Sequence, residues 1–416
     1  MPNYIWGKAG VSVNNDTKNN LTGFNFMALW FGAAISIAEI MTGGLLAPVG
    51  FKKGLLIILA GHAIGTTILV LGGIIGNEER MPAIMSTRIS FGLYGTYIFS
   101  VLNILQLIGW TAVMIISGGR SLNIISKTLW GLDSITLWSI IIGILICVWI
   151  SLGNSGLKKL NTAAVILLFA LTVVLSFIVF KNESLFTQKA AGDMTLGGAL
   201  ELNVIMPLSW LPLIADYTRF SKSKKGTIWG SFIGYFLGSS WMFAIGLASS
   251  IAFKSTDIGV IMTAANLGIT ALFIVGLSTV TTTFLDAYSA GVSLLNIFTK
   301  VKEKQAAIFM AVVGTITALI IPIEQYENFL YAIGSVFAPL FAVLFTDYFI
   351  KKKKNIEENV VINFGALIVW AAGVVLYYKL LKFDFVLGTT VPVMLITSFV
   401  YYILWRWISK WKYVRK

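Results

Sequence analysis

Long apolar runs separated by short polar segments make up most of the chain. Twelve of these runs are long enough to cross a bilayer, since about 20 predominantly apolar residues span the hydrocarbon core as a helix. The connecting segments are too short for a soluble domain. The pattern predicts an all-α polytopic membrane protein whose function lies among its helices. The predicted spans are 24–49, 54–76, 93–118, 135–152, 160–180, 196–216, 229–253, 264–287, 306–322, 326–349, 361–381 and 384–408.

Composition supports the membrane assignment. Of the 416 residues, 57% are hydrophobic and only 12% are charged, and the mean hydropathy is +0.84, which lies outside the range of soluble domains. The single cysteine, Cys147, excludes an internal disulfide and a site built from several thiolates. The N-terminal residues lack the pattern of a cleavable signal peptide, so the first span is expected to stay in the protein.

The net charge of +13 is informative through its placement. If both termini are cytoplasmic, 22 of the 31 Lys and Arg residues fall on the cytoplasmic side, as the positive-inside rule requires. The basic run at 351–354 is then an orientation anchor, and no nucleic-acid partner is expected. We expect a multi-pass protein of the inner (plasma) membrane that works as a monomer in the lipid bilayer.

Two predicted spans contain helix-breaking residues. In the first span, Glu39 lies near the middle and the Thr-Gly-Gly segment 42–44 follows it as an expected breaker. In the sixth span, Pro207 and Pro212 each remove a backbone donor. Breaks at equivalent places in two successive five-helix sets are typical of transporters with inverted repeats, where the unwound backbone lines a site. The alternative is that Gly and Pro only kink ordinary helices.

Three hydroxyl residues share one face of the eighth span. Ser278, Thr281 and Thr282 are spaced i, i+3 and i+4. Hydroxyl and carbonyl oxygens suit a hard cation such as sodium. In membranes such hydroxyls also bond to their own helix or to a neighbouring helix, and this reading stays open from the pattern alone.

Together these segments resemble the nucleobase:cation symporter family, which includes cytosine permease and the hydantoin permeases. The segments 35–39 and 278–288 look most like the branch assigned to hydroxymethylpyrimidine, the pyrimidine precursor of thiamine. The motifs that carry the resemblance are Leu29–Gly32, Thr42–Gly44, Ser90–Gly92, Gly109–Trp110, Ala215–Phe220, Tyr288–Gly291 and Thr346–Tyr348.

The resemblance implies a leucine-transporter-like fold with 12 transmembrane helices that works by alternating access. The implied parts are a cytoplasmic N-terminal segment (1–23), a first inverted repeat of helices 1–5 (24–180), a second inverted repeat of helices 6–10 (196–349), helices 11–12 (361–408) and a cytoplasmic basic tail (409–416).

It also implies where the ligands bind. The coupling ion would be sodium, with a proton as the alternative, and no cofactor is expected. The heterocycle would stack on Trp110, because a flat ring buries its faces well against an indole. The sodium ligands would be the backbone carbonyls of Gly32 and Ile35 with the side chains of Ser278, Thr281 and Thr282.

The expected substrate site departs from that of cytosine permease. Ile37 and Met206 are apolar where the latter has polar residues, Thr283 replaces its asparagine, and Ser209 is retained. Gln106 precedes Trp110 by one turn and can reach the pocket. The full expected set is Glu39, Trp110, Ser209, Ile37, Met206, Gln106, Trp210 and Thr283.

Glu39 replaces a small hydroxyl residue in this comparison. One oxygen of a carboxyl group can accept from the exocyclic amine of an aminopyrimidine while the other meets the ring nitrogen. We therefore expect Glu39 to read this edge of the substrate. Two other roles stay open, an internal hydrogen bond that holds the broken helix and a proton-coupling group.

Four further residues receive smaller roles. Asp216 and Arg219, at i and i+3, are expected to form a gate or boundary ion pair. Asp286 is a weaker site candidate, and His62, the only histidine, is expected to pack or to bond its own helix.

The expected function is sodium-coupled, or alternatively proton-coupled, import of a small pyrimidine, with hydroxymethylpyrimidine as the first candidate. Cytosine, hydantoins and purines are the alternatives within the family. A membrane-embedded enzyme is disfavoured, because one His and one Cys cannot build a His-rich metal centre or a zinc site. An ion channel is disfavoured by the paired helix breaks.

Overall fold

The computed structural model describes residues 21–152, 154–187, 192–298, 300–321, 325–408 and 410–414. Most of the expected N-terminal segment 1–23 and part of the tail 409–416 lie outside these residues. The helices, in chain order, are α1 (Gly23–Ala34), α2 (Ile37–Leu45), α3 (Phe51–Glu79), α4 (Ala83–Ser86), α5 (Arg88–Phe91), α6 (Thr96–Trp130), α7 (Ile135–Leu152), α8 (Asn154–Val179), α9 (Ser184–Thr187), α10 (Leu196–Ser209), α11 (Leu211–Thr218), α12 (Lys224–Phe253), α13 (Ile258–Ala264), α14 (Gly268–Leu295), α15 (Glu303–Ile320), α16 (Tyr326–Phe345), α17 (Phe364–Leu380) and α18 (Thr390–Ile408).

The described helices are those of a polytopic membrane protein. Seven spans are long and apolar enough to cross a bilayer, and the bent pair α1 and α2 makes an eighth. Several shorter apolar helices accompany them. The count of twelve spans stays a prediction. The third span is longer than predicted, since α6 continues to Trp130 and ends at Gly131 in the left-handed conformation that favours glycine (φ 68°).

The first span breaks earlier than the sequence suggested. The helix stops at Ala34, Ser36 adopts an extended conformation (φ −139°, ψ 157°), and α2 leaves at an angle of 61° to α1. The Thr-Gly-Gly segment 42–44 lies inside α2, so the expectation that it breaks the helix was wrong. Its glycine serves close packing instead, because a Cβ at Gly43 would lie 2.3 Å from the carbonyl oxygen of Phe243.

The break in the sixth span is confined to one residue. Pro207 lies within α10, Pro212 lies in the first turn of α11, and Trp210 separates the two helices. The amide of Trp210 donates to Pro207 O at 3.2 Å, which closes a tight turn at the end of α10. The whole stretch Leu196–Thr218 still forms a single span. The prolines therefore interrupt this helix without the sharp bend seen in the first span.

The helices form two packed groups with a cavity between them. One group joins α1 and α2, α3, α10 and α11, and α12, while the other joins α6, α7, α14 and α15. Each predicted five-helix set thus contributes its first two spans to one group and its third and fourth to the other. The pair α17 and α18 packs against α16. The first group surrounds buried aromatic side chains, with Trp30 of α1 in edge contact with Trp210 and Tyr235.

Part of the C-terminal tail forms a strand. Strand β2 (Lys412–Val414) pairs antiparallel with β1 (Val360–Asn363). Lys412 also makes an ion pair with Glu357 at 2.9 Å. The loop before α6 joins this small sheet, because the amide of Tyr94 donates to Val361 O at 2.9 Å. The sequence predicted only a basic cytoplasmic tail. The strand and the ion pair show that residues 412–414 also have a structural role.

Glycines of α12 allow α1 and α2, the two parts of the broken first span, to approach the backbone of α12 closely. A Cβ at Gly234 would lie 2.4 Å from Met27 O of α1, and a Cβ at Gly246 would lie 2.0 Å from Ile40 O of α2. Real side-chain carbons cannot come this close, so the two helices pack backbone to backbone. Small residues at helix interfaces of membrane proteins allow this kind of contact.

We predict that Gly246→Ala destabilises the protein by about 1–3 kcal/mol, because the added methyl must push α2 away from α12. Thermal unfolding of the purified protein in detergent measures the effect. Gly32→Ala in α1 is the control, since its nearest new neighbour would be Val165 Cγ1 at 3.6 Å, an ordinary van der Waals distance. Equal unfolding midpoints for the two variants would contradict the close-packing account.

Candidate functional site

A cavity lies between the two helix groups, at the break of the first span. Each contributing helix presents one face to it, as the i, i+3 and i+7 spacing of Leu107, Trp110 and Met114 on α6 illustrates. The lining residues are Ala33, Ser36, Ala38, Glu39, Leu107, Trp110, Met114, Met206, Ser209, Trp210, Leu213, Thr282 and Asp286.

Glu39 lies in the first turn of α2, directly after the break. It is 1% exposed and both of its oxygens have partners on α12. Tyr235 OH donates to Oε1 at 2.8 Å and Ser239 Oγ lies 2.7 Å from Oε2. These contacts tie α2 to α12. A carboxylate can accept about four hydrogen bonds, so Glu39 keeps capacity for a ligand in the cavity.

Trp110 forms one wall of the cavity and is held from behind by α16. Its ring makes edge contacts with Tyr326 and Phe329, with ring centroids 6.0 and 5.4 Å apart. The indole is 8% exposed. Edge contacts hold the plane of the ring, which leaves an indole beside the cavity that a flat ligand can stack against.

Tyr326 lies behind the cavity lining, in contact with Trp110 and Ala38. Its hydroxyl lies 2.6 Å from Thr42 Oγ1 of α2, and Thr42 also donates to Ala38 O at 2.7 Å. A second pocket begins beyond this contact and is lined by Met41, Tyr326 and Arg120, among others. The predicted orientation places this end of α16 on the outside. The hydroxyl pair thus lies between Ala38, which lines the cavity, and the second pocket.

Five of the eight expected substrate residues line the cavity, namely Glu39, Trp110, Met206, Ser209 and Trp210. The other three lie close behind it or face elsewhere. Ile37 is buried in the first turn of α2. Gln106 donates to Ser209 O at 2.8 Å, which places it behind a lining residue, and its own Oε1 has no partner among the described residues. Thr283 bonds back to Thr279 O within α14.

The residues expected to bind sodium offer suitable oxygens in two places. Thr281 and Thr282 both donate to Ser278 O, at 2.9 and 2.7 Å, which leaves their hydroxyl oxygens free to accept. At the break, the amide of Ser36 donates to Ala34 O at 2.8 Å and not to the carbonyl of Gly32. The break thereby releases the carbonyl of Gly32. Such neutral oxygens fit a hard monovalent cation.

Ile35 closes the end of α1 with a hydrogen bond from its amide to Phe31 O at 3.1 Å. Its own carbonyl is the second backbone oxygen expected in the sodium site. Of the expected sodium ligands, Thr282 also lines the main cavity. A cation bound to Thr282 would therefore lie next to a molecule bound in the cavity.

Asp216 and Arg219 are in contact, but not through the expected ion pair between their side chains. Arg219 Nε donates to the backbone carbonyl of Asp216 at 3.1 Å. The carboxylate of Asp216 instead accepts the amide of Ala83, at the start of α4, at 3.1 Å. The contact between the two residues is therefore side chain to backbone. Both still connect the end of α11 to the segment between the second and third spans.

Sequence reasoning missed the partners of Glu39. Tyr235 and Ser239 carry no motif, and they lie 196 and 200 residues from Glu39 along the chain. Asp286, only a weaker candidate from sequence, lines the cavity one turn after Thr282. An acidic residue at membrane depth was the signal for it. His62 bonds its own helix as expected, at 2.9 Å from Ile58 O, and it also contacts Ser239.

Comparison with known proteins assigns the family. Residues 13–404 match the family described as permease for cytosine/purines, uracil, thiamine, allantoin. The chain belongs to this family. The cytosine permease of Escherichia coli K12 is 27% identical over 335 residues, which cover 78% of this chain and 77% of that protein. The hydantoin permease of Microbacterium maritypicum is 21% identical over 437 residues and covers 93% and 86%.

Solved structures establish the fold of this permease. The inward-facing conformation of Mhp1 superimposes with a TM-score of 0.81 at 19% identity, covering 94% of this chain and 91% of that one. A Na⁺-coupled sialic acid symporter gives a TM-score of 0.67 at 14% identity, covering 92% and 88%. The predicted leucine-transporter-like fold and family are confirmed. The permease is a transporter and not an enzyme, since its relatives are permeases.

We predict that Tyr326→Phe lowers the stability of the permease by about 1 kcal/mol, the usual net value of a hydrogen bond, because α16 loses its bond to Thr42. Thermal unfolding in detergent measures it. Tyr402→Phe removes a hydroxyl from a ring that is 49% exposed and serves as the control. An unfolding midpoint equal to the control would show that the contact with Thr42 contributes nothing.

Proposed function

We propose that the permease imports a small pyrimidine, hydroxymethylpyrimidine in the first instance, together with sodium. The observation that supports this most is the joint placement of Glu39 and Trp110 on one cavity at the break of the first span. A flat indole and a buried carboxyl group are what an aminopyrimidine requires of a binding site.

The two residues would divide the recognition between them. Stacking on Trp110 gives affinity for any flat heterocycle, but it does not fix how the ring is turned in its own plane. Glu39 would fix that orientation by meeting the amine and the adjacent ring nitrogen. Met206 and Leu213 supply apolar contacts around the rest of the ring. An aminopyrimidine would therefore be favoured over a ring without this donor and acceptor edge.

Sodium would bind beside the substrate and couple the two movements. The proposed ligands are the carbonyls of Gly32 and Ile35 and the hydroxyls of Ser278, Thr281 and Thr282. Each half of the set belongs to a different helix group, since α1 and α14 lie on opposite sides of the cavity. A cation held by both would favour one relative position of the groups, which is the basis of ion-coupled alternating access.

The permease would work in the inner membrane with both termini in the cytoplasm. The distribution of Lys and Arg supports this orientation. Cytosine, hydantoins and purines are the alternative substrates, because relatives carry these names. A thermal-shift panel of aminopyrimidines, cytosine, hydantoins and purines, each with and without sodium, would rank them directly.

We predict that Glu39→Ala weakens equilibrium binding of hydroxymethylpyrimidine. Loss of two hydrogen bonds is worth about 1–3 kcal/mol, which corresponds to a roughly 5- to 150-fold higher Kd. Calorimetric binding to the purified permease measures it. Glu39→Gln keeps one donor and one acceptor and should lose less. Unchanged affinity in both variants would contradict the substrate role of Glu39.

We predict that Thr281→Ala and Thr282→Ala reduce the sodium stimulation of uptake into proteoliposomes, because each removes one oxygen from the proposed cation site. Uptake is compared in sodium and in choline at fixed pH. Thr317→Ala is the matched control, since its hydroxyl bonds Val313 O within α15 and lies outside the cavity lining. Sodium stimulation that equals the control in both variants would place the cation elsewhere.

A further inference from the structure

Three side chains from three helices form a hydrogen-bonded row that begins at the cavity. Glu39 of α2 lies 2.7 Å from Ser239 of α12, measured from Oε2 to Oγ. Ser239 Oγ in turn lies 2.6 Å from Nε2 of His62 on α3. All three side chains are buried, with His62 and Ser239 at 0% exposure. Only Glu39 reaches the cavity lining.

The far end of the row fixes one proton on the imidazole. His62 Nδ1 lies 2.9 Å from the carbonyl oxygen of Ile58. A carbonyl can only accept, so Nδ1 must carry a proton. In a neutral imidazole Nε2 then has no proton and can only accept a hydrogen bond from Ser239.

The middle of the row cannot satisfy both neighbours with its own proton. A serine hydroxyl has a single proton to donate. An ionised Glu39 and a neutral His62 would both require it. One of the two short contacts would then join two acceptors inside the membrane, where an unmade hydrogen bond is costly.

One additional proton resolves this conflict in either of two arrangements. In the first arrangement, a neutral Glu39 donates from Oε2 to Ser239, and Ser239 donates to Nε2 of His62. In the second, a charged His62 donates from Nε2 to Ser239, and Ser239 donates to the Glu39 carboxylate. They interconvert when Ser239 takes the proton of Glu39 and passes its own proton to His62. The row holds the same number of protons throughout.

The second buried glutamate shows that burial alone does not create this requirement. Glu201 is 1% exposed. Its Oε1 accepts from Tyr377 OH and Thr390 Oγ1, both at 2.6 Å, and its Oε2 accepts the amides of Thr389 and Thr390, both at 2.7 Å. Four donors satisfy an ionised carboxylate completely, so Glu201 needs no proton.

Other polar groups surround the row without supplying the missing proton. Tyr235 uses its hydroxyl on Oε1 of Glu39, and the ion pairs among the described residues involve other carboxylates. The polar and titratable side chains that face the row from neighbouring helices are Tyr235 of α12, Asn203 of α10, Asp286 of α14 and Tyr326 of α16.

We propose that Glu39, Ser239 and His62 form a proton-binding site, loaded with one proton in this conformation, whose proton is a coupling ion of transport. A substrate that hydrogen-bonds to the Glu39 carboxyl group favours one of its two protonation states, so binding in the cavity shifts the proton along the row or releases it. The coupling part of the proposal rests on the proposed function, whereas the proton site does not.

The proton site is tested on the purified permease without any substrate. His62 is the only histidine, so labelling with ¹⁵N-histidine gives the signals of a single imidazole, which report its charge and tautomer. A protonated carboxyl group gives an infrared band that an ionised one lacks. The band that disappears in Glu39→Gln is assigned to Glu39 and reports whether this residue is protonated. At neutral pH we expect either a charged His62 with an ionised Glu39, or a neutral His62 protonated on Nδ1 with a protonated Glu39.

A neutral His62 together with an ionised Glu39 would overturn the proposal. Glu201→Gln is the matched control and should leave both the histidine signals and the Glu39 band unchanged. If Glu39→Gln does not fold, Ser239→Ala replaces it. This variant keeps Glu39 and His62 but removes the hydroxyl that connects them. The ¹⁵N signals of His62 should then no longer change when Glu39 gains or loses a proton.

Coupling is tested with proteoliposomes that contain a pH-sensitive dye and equal sodium on both sides. An outside-acid gradient should accelerate uptake of hydroxymethylpyrimidine and acidify the interior, and Ser239→Ala should lose both effects. Gradient-driven acidification that Ser239→Ala retains, or uptake indifferent to the gradient, overturns the coupling role. Absence of any uptake contradicts the proposed substrate and the coupling with it, while the spectroscopic result stands on its own.

Discussion

An interrupted helix inside a membrane must find partners for the backbone groups that it exposes, and this constraint shapes the centre of the permease. At Ser36 the first span gives up its regular hydrogen bond, since this amide donates to Ala34 O and not to Gly32 O, and no lipid group can take the place of the missing partner. Polar side chains of a neighbouring helix lie near the break, since Thr282 and Asp286 of α14 line the same cavity as Ser36. The hydroxyl residues of α14 and the oxygens released from α1 are the proposed cation ligands. The start of α2 carries Glu39, whose own partners come from α12.

Under the proposed function, substrate recognition and helix packing depend on the same carboxyl group, that of Glu39. Glu39 ties α2 to α12 through Tyr235 and Ser239, yet it also lines the cavity. Any ligand that bonds to this carboxyl group therefore changes how strongly the broken helix is held. A residue with both duties can convert occupancy of the cavity into a change in helix packing, which a purely structural or purely ligand-binding residue cannot do.

The sequence predicted the class of fold and the helices that carry the site, because long apolar runs and isolated polar groups at membrane depth are strong local signals. It misplaced the first break. The Thr-Gly-Gly segment 42–44 resembles a helix breaker, but glycine in a membrane helix also permits close packing, and only the position of Phe243 decides between the two. The partners of Glu39 were beyond reach for a different reason. Tyr235 and Ser239 are ordinary residues of an apolar helix, and their meaning depends on a contact across some 200 residues of chain.

The glycine contacts between α12 and the broken helix also have a mechanical consequence. Each of these glycines faces a particular carbonyl of α1 or α2 with no space for even a methyl group. Sliding one helix along the other would bring full side chains against those carbonyls, so shear between them is blocked. In the proposed transport cycle the broken helix and α12 would then move together without sliding, and the bending that opens the cavity would occur in the connecting segments.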